Sequence, residues 1–189
     1  MGDLIGAIKV AAAFALNSQA TTPVENVFRD GVSFVRSDCD AQLIVVVPFS
    51  SFVRLSAIML RCVPGEEPAL LKVFLDKREL SFEDVEDTRA AFEVKGASDA
   101  WHGKQINLPA VKFPACESVT LFFDAPDKDT VVRRALASRA AGVACQPGPK
   151  HLPINPPNCV LLSLLQAISR LVFFGATVET ADLTKMTAG

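Results

Sequence analysis

Two aspartates two residues apart, Asp38 and Asp40, form the polar pair best placed for chemistry in this sequence. They lie in Ser37-Asp38-Cys39-Asp40, just before an apolar run. Carboxylates in such a loop are donors of the kind Ca2+ uses, but that ion takes six to eight oxygens and the local supply is thin. The pattern predicts instead that Ser37, Asp38 and Asp40 organise a turn, because short polar side chains bond nearby backbone groups. A second acidic group, Glu83, Asp84, Glu86 and Asp87, reads as a solvated loop. Trp101 beside His102, in a glycine-flanked stretch, is the one pairing of an aromatic ring with an imidazole that a sugar site would use.

Nucleophilic catalysis finds little to work with. His102 and His151 are the only histidines, and no Gly-x-Ser-x-Gly elbow is written. The five cysteines are Cys39, Cys62, Cys116, Cys145 and Cys159, with no Cys-x-x-Cys pair among them. Neither a thioredoxin-type redox couple nor a zinc knuckle is therefore expected. Scattered single thiols suit a reducing compartment, where they pack as small apolar residues. Cys145, His151 and Cys159 match no usual zinc spacing and lack a fourth ligand. No glycine loop that would cradle a phosphate follows a strand. The expectation is a chain with no catalytic residues, no metal and no cofactor; Asp38, Asp40, Trp101 and His102 remain as weak binding candidates.

The elements that would carry these residues are mostly strands. Residues 42–49 form a nearly continuous β-branched run, as in a strand covered on both faces, with Pro48 marking an edge or bulge near its end. In residues 52–62, Val53, Leu55, Ala57 and Met59 fall on one face and Arg54 and Ser56 on the other. Residues 70–77 alternate, placing Leu71, Val73 and Leu75 inward, with Phe74 an exception on the outer face. Residues 91–95, 105–108 and 111–113 are shorter strand candidates. Residues 118–124 alternate again, with Val119, Leu121 and Phe123 inward, and 168–177 form a last strand. Many short strands between frequent turns predict an all-β sandwich or barrel. The N-terminal stretch reads as a short helix lying on the domain, with Leu4, Ile5, Ile8 and Ala12 inward. Residues 133–167 break the pattern: they hold five of the twelve prolines and no Asp or Glu, which predicts an irregular insertion.

Composition narrows the class. The 189 residues are half apolar and one-fifth charged, with a formal net charge of -2. This excludes a disordered chain and offers no basic excess for nucleic acid. Residues 4–16 are apolar but too short to span a bilayer, which takes about 20 residues. The acidic start, Asp3, lacks the basic region of a secretory leader. A single domain over residues 1–189 is expected.

At Ser37-Asp38-Cys39-Asp40-Ala41-Gln42-Leu43 the chain resembles the PITH domain, the proteasome-interacting module of thioredoxin-like proteins that also occurs as a free-standing protein. The resemblance begins at Ala15-Leu16-Asn17, where the family has Cys-Leu-Asn, and runs through SDCDAQLIVVVPF, Val53-Arg54-Leu55, LLKVFLDK, Phe82-Glu83-Asp84, Val111-Lys112-Phe113 and SVTLFFD. It resumes at ISRLVFFGATV and leaves out residues 133–167. It implies a jelly-roll β-sandwich similar to galactose-binding domains, and a non-catalytic cytosolic or nuclear adaptor docking on the 26S proteasome regulatory particle. The thioredoxin half is absent, so no redox role is carried over. The alternative is a carbohydrate-binding or hydrolytic β-sandwich.

Overall fold

The computed structural model describes residues 2–31, 33–96, 99–124 and 165–178. Nine strands form one antiparallel sheet that curls over a single main core: β1 (Gly2–Asp3), β2 (Phe14–Leu16), β3 (Val35–Arg36), β4 (Leu43–Cys62), β5 (Leu70–Leu75), β6 (Phe92–Lys95), β7 (His102–Asn107), β8 (Ala115–Asp124) and β9 (Ala167–Thr177). The main path runs β1-β9-β4-β8-β5-β6, with β2 and β7 beside β4 and β3 beside β9. This arrangement is the expected all-β sandwich.

The two runs expected at residues 42–49 and 52–62 are one 20-residue strand, β4. Its first part, residues 43–48, pairs with β2 and β8; its second, residues 53–62, pairs along β9 and in part with β7. Between Pro48 and Val53 the register with β8 shifts, so the proline sits at the start of an irregularity, where a strand tolerates it. Because β4 belongs to both halves, Leu43, Val45 and Val47 from one and Leu60 from the other reach the same core, with Val73, Leu121, Phe123 and Phe173. The Phe49 and Phe173 rings meet edge to face at 5.7 Å across it.

A bulge at Ser56 corrects the expected alternation. Leu55 pairs with Gly175 but Ala57 pairs with Phe174, so one extra β4 residue is accommodated there. After it the phase inverts. Ile58, Leu60 and Cys62 enter the core, while Met59 is only half buried.

Phe74 is not a solvent-facing exception. It lies in a second buried cluster with Ile44, Val46, Leu80, Val85 and Phe122, on the opposite sheet face from the main core. The chain between β5 and β6 covers that face, including a one-turn helix α1 (Asp84–Asp87). Two further expectations change. The N-terminal stretch makes two 3-10 turns, Ile5–Ala7 and Val10–Ala12, instead of one helix. Leu4, Ala7, Ile8 and Ala13 are buried, whereas Ile5 and Ala12 are exposed. Residues 111–113 belong to a 3-10 turn, Ala110–Lys112, and its following residue. Of the expected insertion, residues 133–164 lie outside the described residues, and residues 165–167 belong to the fold. Gln166 is buried, its N–H donates to Ser37 Oγ at 3.0 Å, and Ala167 pairs with Arg36.

Candidate functional site

The Ser37–Asp40 loop is tied to the end of β2 by one residue, Asn17. Asn17 holds φ 61°, a left-handed conformation that asparagine tolerates better than most residues. Its Nδ2 donates to Asp40 Oδ1 at 2.7 Å and to the Gln42 carbonyl at 2.6 Å. Its Oδ1 accepts from the Cys39 N–H at 3.0 Å, and its carbonyl accepts from the Asp38 N–H at 2.9 Å. Asp40 Oδ1 also accepts from the Gln42 N–H at 2.9 Å, closing an Asx-type turn just before β4. The Asn17–Asp40 bond spans 23 residues, so the loop is cross-linked to the end of an earlier strand, and the register with which β4 begins is set there.

The two aspartates differ in what they do. Asp40 holds the turn, while the exposed Asp38 carboxylate, among the described residues, accepts a hydrogen bond from Cys39 Sγ alone, at 3.8 Å. The acidic residues of α1 are exposed. Asp84 bonds Ser81 reciprocally: its Oδ2 accepts from the Ser81 hydroxyl at 2.6 Å and N–H at 3.1 Å. Those bonds, the side-chain one first, hold its carboxyl below the usual carboxylate range. Among the described residues, no three His, Cys, Asp or Glu side chains converge to hold a metal ion.

Trp101 and His102 do not form a joint surface. Trp101 is 1 % exposed and its indole N–H donates to the Gly96 carbonyl at 3.0 Å. Gly96 supports that contact with φ 87°, where a side chain would be strained. His102 is exposed, the first residue of β7, opposite Arg61. Of the cysteines, Cys39 is exposed; Cys62 and Cys116 are buried. Burial first, then the charge of Glu67, pushes the Cys62 thiol up to about 12; burial and Asp76 do the same for Cys116. Cys145, His151 and Cys159 lie outside the described residues.

Two concave surfaces lie elsewhere among the described residues. An open cleft of about 640 Å3 runs beside residues 76–80, with Phe52, Asp84 and Glu117 among its walls. Next to it, sharing Lys77, is a depression of about 320 Å3 lined by Lys77, Arg89 and Lys112 over Phe74 and Leu75. Sequence reasoning missed these three cations. Lys77 and Arg89 lie 12 residues apart at the two ends of the β5–β6 connection and Lys112 in the turn before β8, so no local pattern links them. Among the described residues, no helix is long and apolar enough to cross a membrane.

A family model described as the PITH domain matches residues 1–135. A PITH domain-containing protein of Caenorhabditis elegans is 27 % identical over 130 residues, which are 65 % of this chain and 62 % of that protein. The chain thus spans less than two thirds of that relative's length. Among solved structures, the CBM32-1 and CBM32-2 domains of Clostridium perfringens ZmpB, in complex with GalNAc, match with a TM-score of 0.56 at 8 % identity, over 91 % of this chain and 35 % of that one. The CBM32-5 module of CpGH89 from the same organism, in complex with GalNAc-β-1,3-galactose, matches with a TM-score of 0.55 at 10 % identity, over 92 % of this chain and all of that one. A chitosan-binding module from Paenibacillus sp. IK-5 gives 0.54 at 8 % identity, over 87 % and 94 %. At such identities the likeness is one of fold alone.

Proposed function

Because the chain belongs to the PITH domain family, we propose that it is a non-catalytic protein-interaction module, an adaptor that docks on the 26S proteasome regulatory particle in the cytosol or nucleus. The observation that carries this reading is the family match over residues 1–135, which takes in the Asn17–Asp40 clamp and the strands from β1 to β8. The chemistry of the candidate residues supports it. Asp40 is occupied by hydrogen bonds that build the fold, and an adaptor needs a shaped surface and no reacting group.

The sugar-binding alternative has the fold likeness on its side. Its best aromatic candidate, however, is buried and bonded to Gly96, so Trp101 offers no face on which a sugar ring could stack. Retention of purified 26S proteasomes on the immobilised full-length chain tests the reading. Recovery of regulatory-particle subunits is expected, with no signal on a glycan array. Glycan binding without proteasome retention would overturn the adaptor reading in favour of the lectin-like one.

A further inference from the structure

The topology brings three cations from two connections of the chain to one rim of the sandwich. Lys77 lies just beyond β5, Arg89 between α1 and β6, and Lys112 at the end of the turn before β8. The depression they line has an apolar floor that includes Phe74, Leu75 and Ala90, and no carboxylate is part of the lining. Among the described residues, the side chain of none of the three cations makes an ion pair or a hydrogen bond. The adjoining cleft is different. There Asp76, Glu79, Asp84 and Glu117 stand around Lys77 and Arg78. In a chain of net charge -2, three unpaired cations around one apolar hollow are a local asymmetry.

These side chains are mounted on rigid points. Asp76, with φ 52°, accepts from the Glu117 and Ser118 N–H groups at 2.8 and 2.9 Å. The Thr120 hydroxyl donates to the Lys77 carbonyl at 2.6 Å. Just past Arg89, the Ala91 N–H donates to the Val73 carbonyl at 2.9 Å. Lys112 precedes the fully buried Phe113, whose ring meets Phe92 edge-on at 6.4 Å. Pre-ordered backbone lowers the entropy lost on binding. Val111, next to Lys112, is 96 % exposed and adds an apolar contact at the rim.

We infer that the Lys77–Arg89–Lys112 depression docks an acidic segment of a protein partner, one that carries carboxylates beside an apolar side chain. Charge complementarity selects the acidic partner, and the half-buried Leu75, Ala90 and Ala91 beside the cations favour an apolar residue among its acids. The inference deepens the adaptor reading and rests on it for the class of partner.

The test uses a fluorescein-labelled peptide of Glu with interspersed Leu and Phe, followed by anisotropy with the full chain at low and physiological salt. Saturable binding is expected, weaker at the higher salt. It should weaken at least tenfold in the Lys77→Glu/Arg89→Glu/Lys112→Glu variant. A charge-matched control, Lys9→Glu/Lys95→Glu/Lys104→Glu, should bind as the parent does. All six side chains are on exposed residues, and circular dichroism verifies folding; the single Lys112→Gln change provides a milder variant, expected to weaken binding measurably. Equal binding by the parent and the triple variant, no binding by the parent at low salt, or equally tight binding of a single-stranded oligonucleotide of the same charge would each overturn the inference. The probe contains no proteasome, so its failure and a failure of proteasome retention are read separately.

Discussion

Replacing Asn17 probes the clamp on which the start of β4 depends. Its amide makes three close contacts, to Asp40 Oδ1 at 2.7 Å, the Gln42 carbonyl at 2.6 Å and the Cys39 N–H at 3.0 Å, and a longer one to the Asp40 carbonyl at 3.5 Å. Each contributes about 0.5–1.5 kcal/mol net, and their partial exposure places the sum near the lower end, at about 2 kcal/mol. The left-handed backbone at φ 61° adds about 1 kcal/mol when the residue is Ala, and nothing when it is Gly. Asn17→Gly should therefore cost about 2 kcal/mol and Asn17→Ala about 3 kcal/mol. For a chain of this size these losses lower the melting temperature by roughly 4–12 °C. Asp40→Ala, which removes one acceptor serving two donors, should cost about 1–2 kcal/mol, and Asp40→Asn much less because an acceptor oxygen remains. Thermal melts followed by circular dichroism, with urea titrations for the free energies, measure the series. An Asn17→Ala variant that melts within about 2 °C of the parent would refute the clamp, given the usual 2–4 °C per kcal/mol. An Asn17→Ala variant no worse than Asn17→Gly would refute the backbone part alone.

Two further outcomes follow from the packing. A Cβ on Gly175 would lie inside contact distance of the Arg54 backbone carbonyl and 3.1 Å from Leu4 Cδ1. Gly175→Ala should therefore destabilise by about 1–3 kcal/mol despite the smaller entropy of its unfolded chain, and an unchanged urea midpoint would contradict the close approach at the Ser56 bulge. For the buried thiols, the folded pKa of about 12 lies above the unfolded value of about 9, so ionisation favours unfolding. The stability that Cys62 and Cys116 confer is complete below about pH 9 and is lost as the pH rises towards 12. At pH 8, peptide mapping after brief iodoacetamide treatment should find Cys39 alkylated and Cys62 and Cys116 untouched until denaturant is added. Native labelling of Cys116 at the rate of Cys39 would count against its burial.

Strand periodicity is local information, and it carried the all-β class, the inward positions Leu71, Val73, Val119, Leu121 and Phe123, and the bend near Pro48. Residue type alone likewise placed a turn at Ser37–Asp40, because short polar side chains compete for nearby backbone groups. The order and spacing of the motifs were enough for the family resemblance. What the sequence left open depends on contacts across the fold. The Ser56 bulge exists only in relation to β9, so the inversion that buries Leu60 and turns Met59 aside has no signature within β4 itself. Phe74 looked misplaced because alternation describes one sheet face, and the covering chain around Val85 comes from the following loop. Trp101 looked like a binding residue until Gly96 and the core enclosed it. The meeting of Lys77, Arg89 and Lys112 is likewise a product of strand order: β6 and β8 flank β5, so the β5–β6 connection, which carries Lys77 and Arg89, and the turn before β8, which carries Lys112, share one rim, and charges that say nothing singly acquire a common field.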